Sequence, residues 1–186
     1  MAESGKDKII AGVLIAVIIV AAGVFAYYNL PKNENKENDV PILTVSYGNE
    51  TYTYTLSQLE KIDDFSGKGS YKTSHGFIRE AKGYTGVRMT ELMDEIGAAC
   101  NHGIEVIADD GYSVNYTCDE INGNVTVYDF SGNETGNGGV TMILAYSEDG
   151  DYNFDDGPLR IAYVNGQGTI TSSKLWVKHV VEIKVI

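Results

Sequence analysis

The residues that could bind a metal ion are few in this sequence and widely spaced. Asp151, Asn153 and Asp155 alternate along one acidic stretch, as oxygen ligands do in a calcium-binding loop. Gly157 falls one position too late for the turn of such a loop, and the bidentate glutamate that should end it is missing. The spacing therefore indicates an exposed acidic turn. The three histidines form no i, i+4 pair and have no neighbouring cysteine, so we expect no locally assembled zinc site.

Motifs of several enzyme classes are absent from the sequence. It contains no nucleophile elbow, no phosphate-binding loop and no dinucleotide-binding fingerprint. The formal net charge of -12 repels phosphate groups, so nucleic acid and anionic lipid surfaces are not expected as partners.

Cys100 and Cys118 are the two cysteines of the chain. In an exported domain an even pair of cysteines is chemically suited to form a disulfide. Two separate, half-buried thiols are the alternative, and the sequence leaves both open.

A run without charged side chains occupies residues 9–28. As a helix it would be about 30 Å long, which matches the hydrocarbon core of a bilayer. We therefore predict a short N-terminal stub at 1–8, a transmembrane helix at 9–28, and a single-pass cell-membrane protein with its domain on the extracytoplasmic side. A cleaved secretory signal ending near residues 24–26 and an assembly helix of the pilin type are the alternatives.

Four N-x-Ser/Thr sequons follow the apolar run, against roughly two expected by chance, and their excess favours an extracytoplasmic domain. The candidate glycosylation sites are Asn49, Asn115, Asn124 and Asn133.

The rest of the chain has the composition of one β-rich domain. Residues 29–40 are a polar linker, and residues 41–186 are long enough for a single core. Twenty-one glycines and thirteen tyrosines favour strands joined by tight turns over a helical bundle. Alternation predicts a hairpin at 42–55, and we interpret the tyrosines as sheet packing and not as a sugar- or peptide-binding face. Short helices are predicted after Thr55 or Ser57 and after Thr90, the second ending at Gly97. Strands are predicted between 104 and 185, the last of them at 175–185, with an exposed loop at 131–139.

Three separated segments then carry a family resemblance. They are residues 86–97 (GVRMTELMDEIG), residues 109–116 (DDGYSVNY), and residues 156–161 (DGPLRI) leading to 174–183 (KLWVKHVVEI). In order and spacing they resemble the molybdopterin-binding domain of sulfite-oxidase-type oxidoreductases, over most of the chain after the linker. The resemblance implies an α+β (mixed α/β) fold, β-rich with short helices, that encloses a pocket for a pterin-molybdenum cofactor.

The sequence departs from this family at the position of the metal ligand. The family uses a cysteine thiolate in the region that reads YKTSHG at residues 71–76 here, and no thiol is present. A Ser or Thr hydroxyl is a poor substitute for a soft sulfur donor. A second departure is the turn at residues 165–168 (NGQG), which replaces a proline- and glycine-containing turn that helps to hold the cofactor phosphate.

Arg160 matches the Gly-Pro-Leu-Arg segment of the family. With Thr73, Ser74 and His75 it marks a candidate vestigial cofactor pocket, as the resemblance implies. The alternative is that Arg160 pairs with a neighbouring acid such as Asp156.

These observations lead to an expected function. We expect a membrane-anchored extracytoplasmic binding or interaction module that lacks molybdenum catalysis and has a membrane or surface protein as partner. No bound cofactor is expected, with molybdopterin as the alternative. The competing interpretations are a molybdopterin-dependent oxidoreductase or electron-transfer subunit, and a structural surface or filament component.

Overall fold

The structure is a computed structural model, and it describes residues 40–101 and 103–186. The stub at 1–8, the predicted transmembrane helix at 9–28 and the linker up to residue 39 lie outside the described residues. Among the described ranges, no helix has the length and apolar character that crossing a membrane requires.

Strands dominate the described ranges, and the helices are short. In chain order the elements are β1 (Pro41–Tyr47), β2 (Glu50–Thr55), α1 (Leu56–Ile62), β3 (Phe65–Lys72), β4 (Lys82–Arg88), α2 (Met89–Glu95), β5 (Ile104–Ala108), β6 (Ser113–Tyr116), α3 (Cys118–Ile121), β7 (Thr126–Tyr128), β8 (Glu134–Asn137), β9 (Thr141–Glu148), β10 (Arg160–Val164), β11 (Thr169–Ser172), a 3₁₀ turn (Ser173–Leu175) and β12 (Val180–Val185).

Two five-stranded mixed sheets share one hydrophobic core. Sheet I has the order β2-β1-β12-β5-β6, and sheet II has the order β10-β9-β4-β3-β11. In each sheet one parallel pair joins distant parts of the chain, β1 with β12 and β3 with β11. Every residue of β10 is buried although β10 is an edge strand of sheet II, and most of the neighbouring β9 is buried as well. The strands β7 and β8 form a separate hairpin.

The first predicted hairpin and helix are confirmed. β1 and β2 pair around the turn at Gly48, and α1 begins after Thr55. The Thr55 hydroxyl accepts a hydrogen bond from the backbone N–H of Gln58 at 3.3 Å, and the Gln58 side chain accepts one from the Thr55 N–H at 2.8 Å. This reciprocal cap fixes where the helix starts, and Leu59 then lies fully buried.

The second helix begins earlier than the sequence predicted. Thr90 is not its cap, because Met89 is already helical and Arg88 occupies the cap position without a side-chain hydrogen bond. Met89 is fully buried, and the helix follows β4 without an intervening loop. Gly97 ends the helix at a φ of +65°, a backbone conformation that glycine adopts without strain.

Large tyrosines pack inside the core, as predicted. Tyr116, Tyr146 and Tyr163 are each almost completely buried. The Tyr116 hydroxyl donates to the backbone carbonyl of Leu175 at 2.9 Å, and that of Tyr163 donates to the carbonyl of Glu120 at 3.2 Å. These hydroxyls therefore bond to partly buried backbone carbonyls of other elements.

Cys100 and Cys118 are joined in a disulfide, with their Cα atoms 5.7 Å apart. The bond ties the segment after α2 to the first residue of α3. Since the chain has no other cysteine, the disulfide leaves it without a free thiol.

Two parts of the predicted strand pattern are wrong. The stretch at 131–139 is exposed, as predicted, but it contains β8, which pairs with β7 although none of its residues is buried. The predicted final strand at 175–185 is interrupted. Its first residue belongs to the 3₁₀ turn, and β12 starts only at Val180.

The close approach of β4 to β9 requires glycine at position 86. A Cβ there would lie 2.2 Å from the carbonyl oxygen of Leu144, whereas a Cβ at Gly166 would meet nothing within 4 Å. We predict that Gly86→Ala lowers the free energy of unfolding by about 2 kcal/mol or more. Gly166→Ala should change it by less than about 0.5 kcal/mol. Urea unfolding of both variants checks this, and equal stabilities would contradict the described strand contact.

Candidate functional site

Arg160, the first residue of β10, has the largest of the fully buried side chains, with 1% of its surface exposed. Its guanidinium carbon lies 5.3 Å from the ring centroid of Tyr84 and 5.1 Å from that of Trp176. The two rings contact each other edge to face, with centroids 5.5 Å apart. The aromatic rings therefore provide a cation–π environment for a charge that has left water.

Carboxylates neutralise the buried guanidinium. Arg160 Nη1 donates to Asp156 Oδ2 at 2.5 Å and to Glu148 Oε2 at 3.3 Å. Asp156 Oδ1 also pairs with Lys178 Nζ at 2.7 Å, and Glu148 pairs with Lys82. We call these five residues, Lys82, Glu148, Arg160, Asp156 and Lys178, the ion-pair chain. Positive and negative groups alternate along it, with the two partly exposed lysines at its ends.

The remaining guanidinium nitrogens of Arg160 have no hydrogen-bond partner. Nε and Nη2 are both buried and unpaired within the described residues. An unpaired buried N–H group ordinarily costs stability, and here the neighbouring aromatic faces offset part of that cost. Neither nitrogen is accessible to solvent in this arrangement of the side chains.

A cleft of about 340 Å³ lies over the ion-pair chain. Its charged lining residues are Arg79, Lys82, Arg160 and Lys178 on the positive side, and Glu80, Glu148 and Asp156 on the negative side. The charges nearly balance. An anionic ligand would have to compete with carboxylates that the protein already places against these cations.

The local charges shift the titration of Asp156. Burial acts to raise its pKa, but the Lys178 ammonium and the Arg160 guanidinium outweigh burial and hold the pKa below its usual value. At neutral pH the carboxylate is therefore ionised. Burial raises the pKa of the Tyr84 phenol, so this ring beside Arg160 stays uncharged.

The structure does not bring Thr73, Ser74 and His75 together with Arg160. They form an exposed turn beyond the end of β3, in which the Thr73 hydroxyl accepts a hydrogen bond from the Phe77 N–H at 3.1 Å. None of the three lines the cleft, although Tyr71, which precedes the turn, does.

The donor set does not fit the metal ligation of the resembled family. Both cysteines are consumed by the disulfide, so no thiolate is available for molybdenum. Within the described ranges no three His, Cys, Asp or Glu side chains are grouped to hold a metal ion. The acidic stretch that begins at Asp151 is an exposed turn, in which the Asp151 carboxylate accepts the backbone N–H of Asn153 at 2.8 Å.

The sequon asparagines are all exposed, which is compatible with glycosylation. Asn49 lies in the β1–β2 turn and Asn133 in the β7–β8 turn, while Asn115 and Asn124 line one common cleft. Modification of these residues stays a prediction.

Sequence reasoning named Asp156 as a partner of Arg160 but missed Glu148 and the two aromatic residues. Asp156 is four residues away in the chain, whereas Glu148 is brought in by strand pairing. In that pairing Tyr84 lies opposite Glu148, and Arg160 lies opposite Ala145. The sequence signal that could have indicated an aromatic neighbour of Arg160 was the single tryptophan, Trp176, which lies in the resembling segment at 174–183.

Comparison with known proteins gives a likeness in fold. No protein-family model matches the chain, and no curated protein matches it. Among solved structures, the chain is similar to the sulfane dehydrogenase SoxCD from Paracoccus pantotrophus, with a TM-score of 0.56 and 14% sequence identity. The match covers 80% of this chain and 38% of that one, so the chain spans well under half of the matched protein. The likeness is one of fold. It supports the distant sulfite-oxidase-like architecture that the sequence segments suggested.

The burial of Arg160 predicts its role in stability. Arg160→Ala leaves two carboxylates facing the core with one lysine each, and should lower the free energy of unfolding by about 3 kcal/mol. Arg79→Ala removes an exposed cation of the same cleft and should cost less than about 0.5 kcal/mol. Urea denaturation distinguishes the two. An Arg160→Ala protein as stable as the parent would mean that Arg160 serves the cleft and not the core.

The lowered pKa of Asp156 predicts an acid-sensitive component of stability. The unfolded-state pKa, about 4, exceeds the folded-state value, so the unfolded chain binds the proton more readily. The stabilisation is fully present above pH 4 and is lost as the pH falls through the folded-state pKa. In Asp156→Asn the free energy of unfolding should fall less between pH 5 and pH 2 than in the parent. Asp155→Asn, at an exposed position, should leave the fall unchanged. Parallel curves for both variants would contradict the assignment.

Proposed function

We propose that the chain is a membrane-anchored extracytoplasmic binding module, built on a sulfite-oxidase-like scaffold, that acts without molybdenum catalysis. The observation that carries this proposal is the state of its two cysteines. They are bonded to each other, and the exposed turn where the family places its metal-binding thiolate contains Ser74 instead. Without a soft sulfur donor, the chain lacks the ligand on which the family's redox chemistry depends.

The ion-pair chain supports the same proposal. In a cofactor pocket, an arginine of this kind would keep its donors available for a charged ligand. Here one nitrogen of Arg160 is bonded to two carboxylates, and the other two nitrogens are buried. The side chain has become part of the core.

Anchoring and location rest on the sequence. The uncharged run at 9–28 has the length of a transmembrane helix, and the sequons lie on exposed positions of the domain. With the polar linker, these features favour a domain held a short distance from the extracytoplasmic face of the membrane. A membrane or surface protein would be its partner there.

A molybdopterin-dependent oxidoreductase is the second candidate, favoured by the likeness in fold to a sulfane dehydrogenase. It would require the pterin to be held through contacts other than a cysteine. A filament component stays a third alternative, which electron micrographs of native membranes would test.

Elemental analysis separates the first two candidates. The full chain is purified from membranes of a host that makes molybdopterin, beside a molybdenum enzyme from the same host that confirms cofactor supply. We expect well under one molybdenum per chain and no pterin fluorescence after oxidation. We also expect the chain to stay with the membranes through an alkaline wash. Molybdenum near one per chain would overturn the non-catalytic proposal, and release by the wash would overturn the anchor.

A further inference from the structure

A second cleft lies away from the ion-pair chain, where β6, α3, the β7–β8 hairpin and the 3₁₀ turn meet. It has a volume of about 430 Å³, within the usual range for small-molecule sites. Val125 is buried, and Val114 and Leu175 are partly buried, so the floor of the cleft is apolar. We call this feature the amide cleft, after the residues on its rim.

Three asparagines supply most of the polar groups on the rim. Asn115 lies on β6, Asn124 on the turn after α3, and Asn137 on β8. Within the described residues, the side chains of these three asparagines donate no hydrogen bond to the protein; the asparagine side chains that do donate lie at other positions. The N–H donors of the three amides are therefore available to a ligand. Each amide offers two N–H donors and one carbonyl acceptor.

Backbone hydrogen bonds fix the positions of the three asparagines in the chain. Asn137 is paired with Thr126 across the β7–β8 hairpin, and Asn115 is paired with Glu105 on β5. The backbone N–H of Asn124 donates to the carbonyl of Asp119 at 2.8 Å. The backbone at these positions therefore loses little entropy when a ligand arrives, whereas the exposed side-chain amides still have to be ordered by it.

The charge and shape of the amide cleft identify the class of ligand. Lys174 and Glu120 contribute one charge of each sign, so the lining is neutral in a chain whose net charge is -12. The Tyr128 ring adds an aromatic group to the lining, and the Lys72 ammonium lies over one face of it, 4.5 Å from the centroid. An apolar floor and an aromatic ring suit the C–H face of a sugar, while the amides suit its hydroxyls, which both donate and accept.

We infer that the amide cleft binds a neutral saccharide. A peptide added to a sheet would be held mainly by main-chain bonds along one strand, whereas the polar groups here are side chains from several elements. The inference rests on the proposed function in taking the chain to be a binding module, and it goes further in naming a ligand class. A glycan on Asn115 or Asn124 would fill the cleft, so the inference restricts the predicted glycosylation to Asn49 and Asn133.

The test uses the full chain in lipid nanodiscs, because glycoside detergents would compete for the site. The probes are cellobiose, maltose, lactose and N,N′-diacetylchitobiose, with trialanine as the peptide probe. Saturation-transfer NMR detects binding, and calorimetric titration measures affinity. We expect at least one disaccharide to bind, and Asn137→Ala and Tyr128→Ala each to weaken its binding about tenfold. Asn49→Ala, an exposed amide outside the cleft, is the matched control and should bind as the parent does.

Four results would overturn the inference. They are the absence of binding by all four disaccharides, binding of trialanine alone, equal effects of Asn137→Ala and Asn49→Ala, or glycans found on Asn115 or Asn124 by mass spectrometry of the native protein. The molybdenum content of the same preparation keeps the two proposals separable. A molybdenum-loaded chain that binds a disaccharide would refute the non-catalytic function and leave the saccharide site standing.

Discussion

Arg160 places a full positive charge inside the core of the domain, and the elements around it are arranged to make that charge tolerable. Its carboxylate partners are Glu148, at the end of β9, and Asp156, in the segment before β10. Its aromatic neighbours are Tyr84, on β4, and Trp176, directly after the 3₁₀ turn. Moving an ion into a protein interior costs several kcal/mol unless it is paired. The arrangement of these four elements is therefore tied to a single guanidinium.

The same arrangement links the fold to its proposed use. A scaffold that resembles a cofactor-binding domain has its arginine neutralised by the protein's own carboxylates, and its two thiols are joined as a disulfide. The disulfide also fixes the start of α3, and that helix carries Glu120 into the amide cleft. The disulfide that joins both thiols thus also positions a helix that lines the amide cleft.

Local signals in the sequence predicted local structure well. The Thr55 cap, the β1–β2 hairpin and the stop at Gly97 each depend on residues within one turn of one another, so their spacing is readable in the chain. β8 was missed because all its residues are exposed, which leaves no alternation of apolar and polar positions. Its pairing with β7 is a tertiary feature.

The site was less accessible to sequence reasoning, for a physical reason. Asp156 could be named as a partner of Arg160 from proximity in the chain, but Glu148 depends on the register of β9 against its neighbours. The turn at Thr73 to His75 was placed with Arg160 by resemblance alone, and none of its three side chains lines the cleft that Arg160 lines. The amide cleft likewise draws its rim from several elements that are distant in sequence.

A double-mutant cycle between Arg160 and Asp156 tests the central claim, that the guanidinium is a structural charge held by its carboxylate partners. Arg160→Met, Asp156→Asn and the double variant are compared with the parent by urea unfolding at neutral pH. The account predicts a coupling free energy on the order of 2 kcal/mol, because the two groups share a partly buried, charge-assisted hydrogen bond. Strictly additive effects of the two substitutions would contradict it.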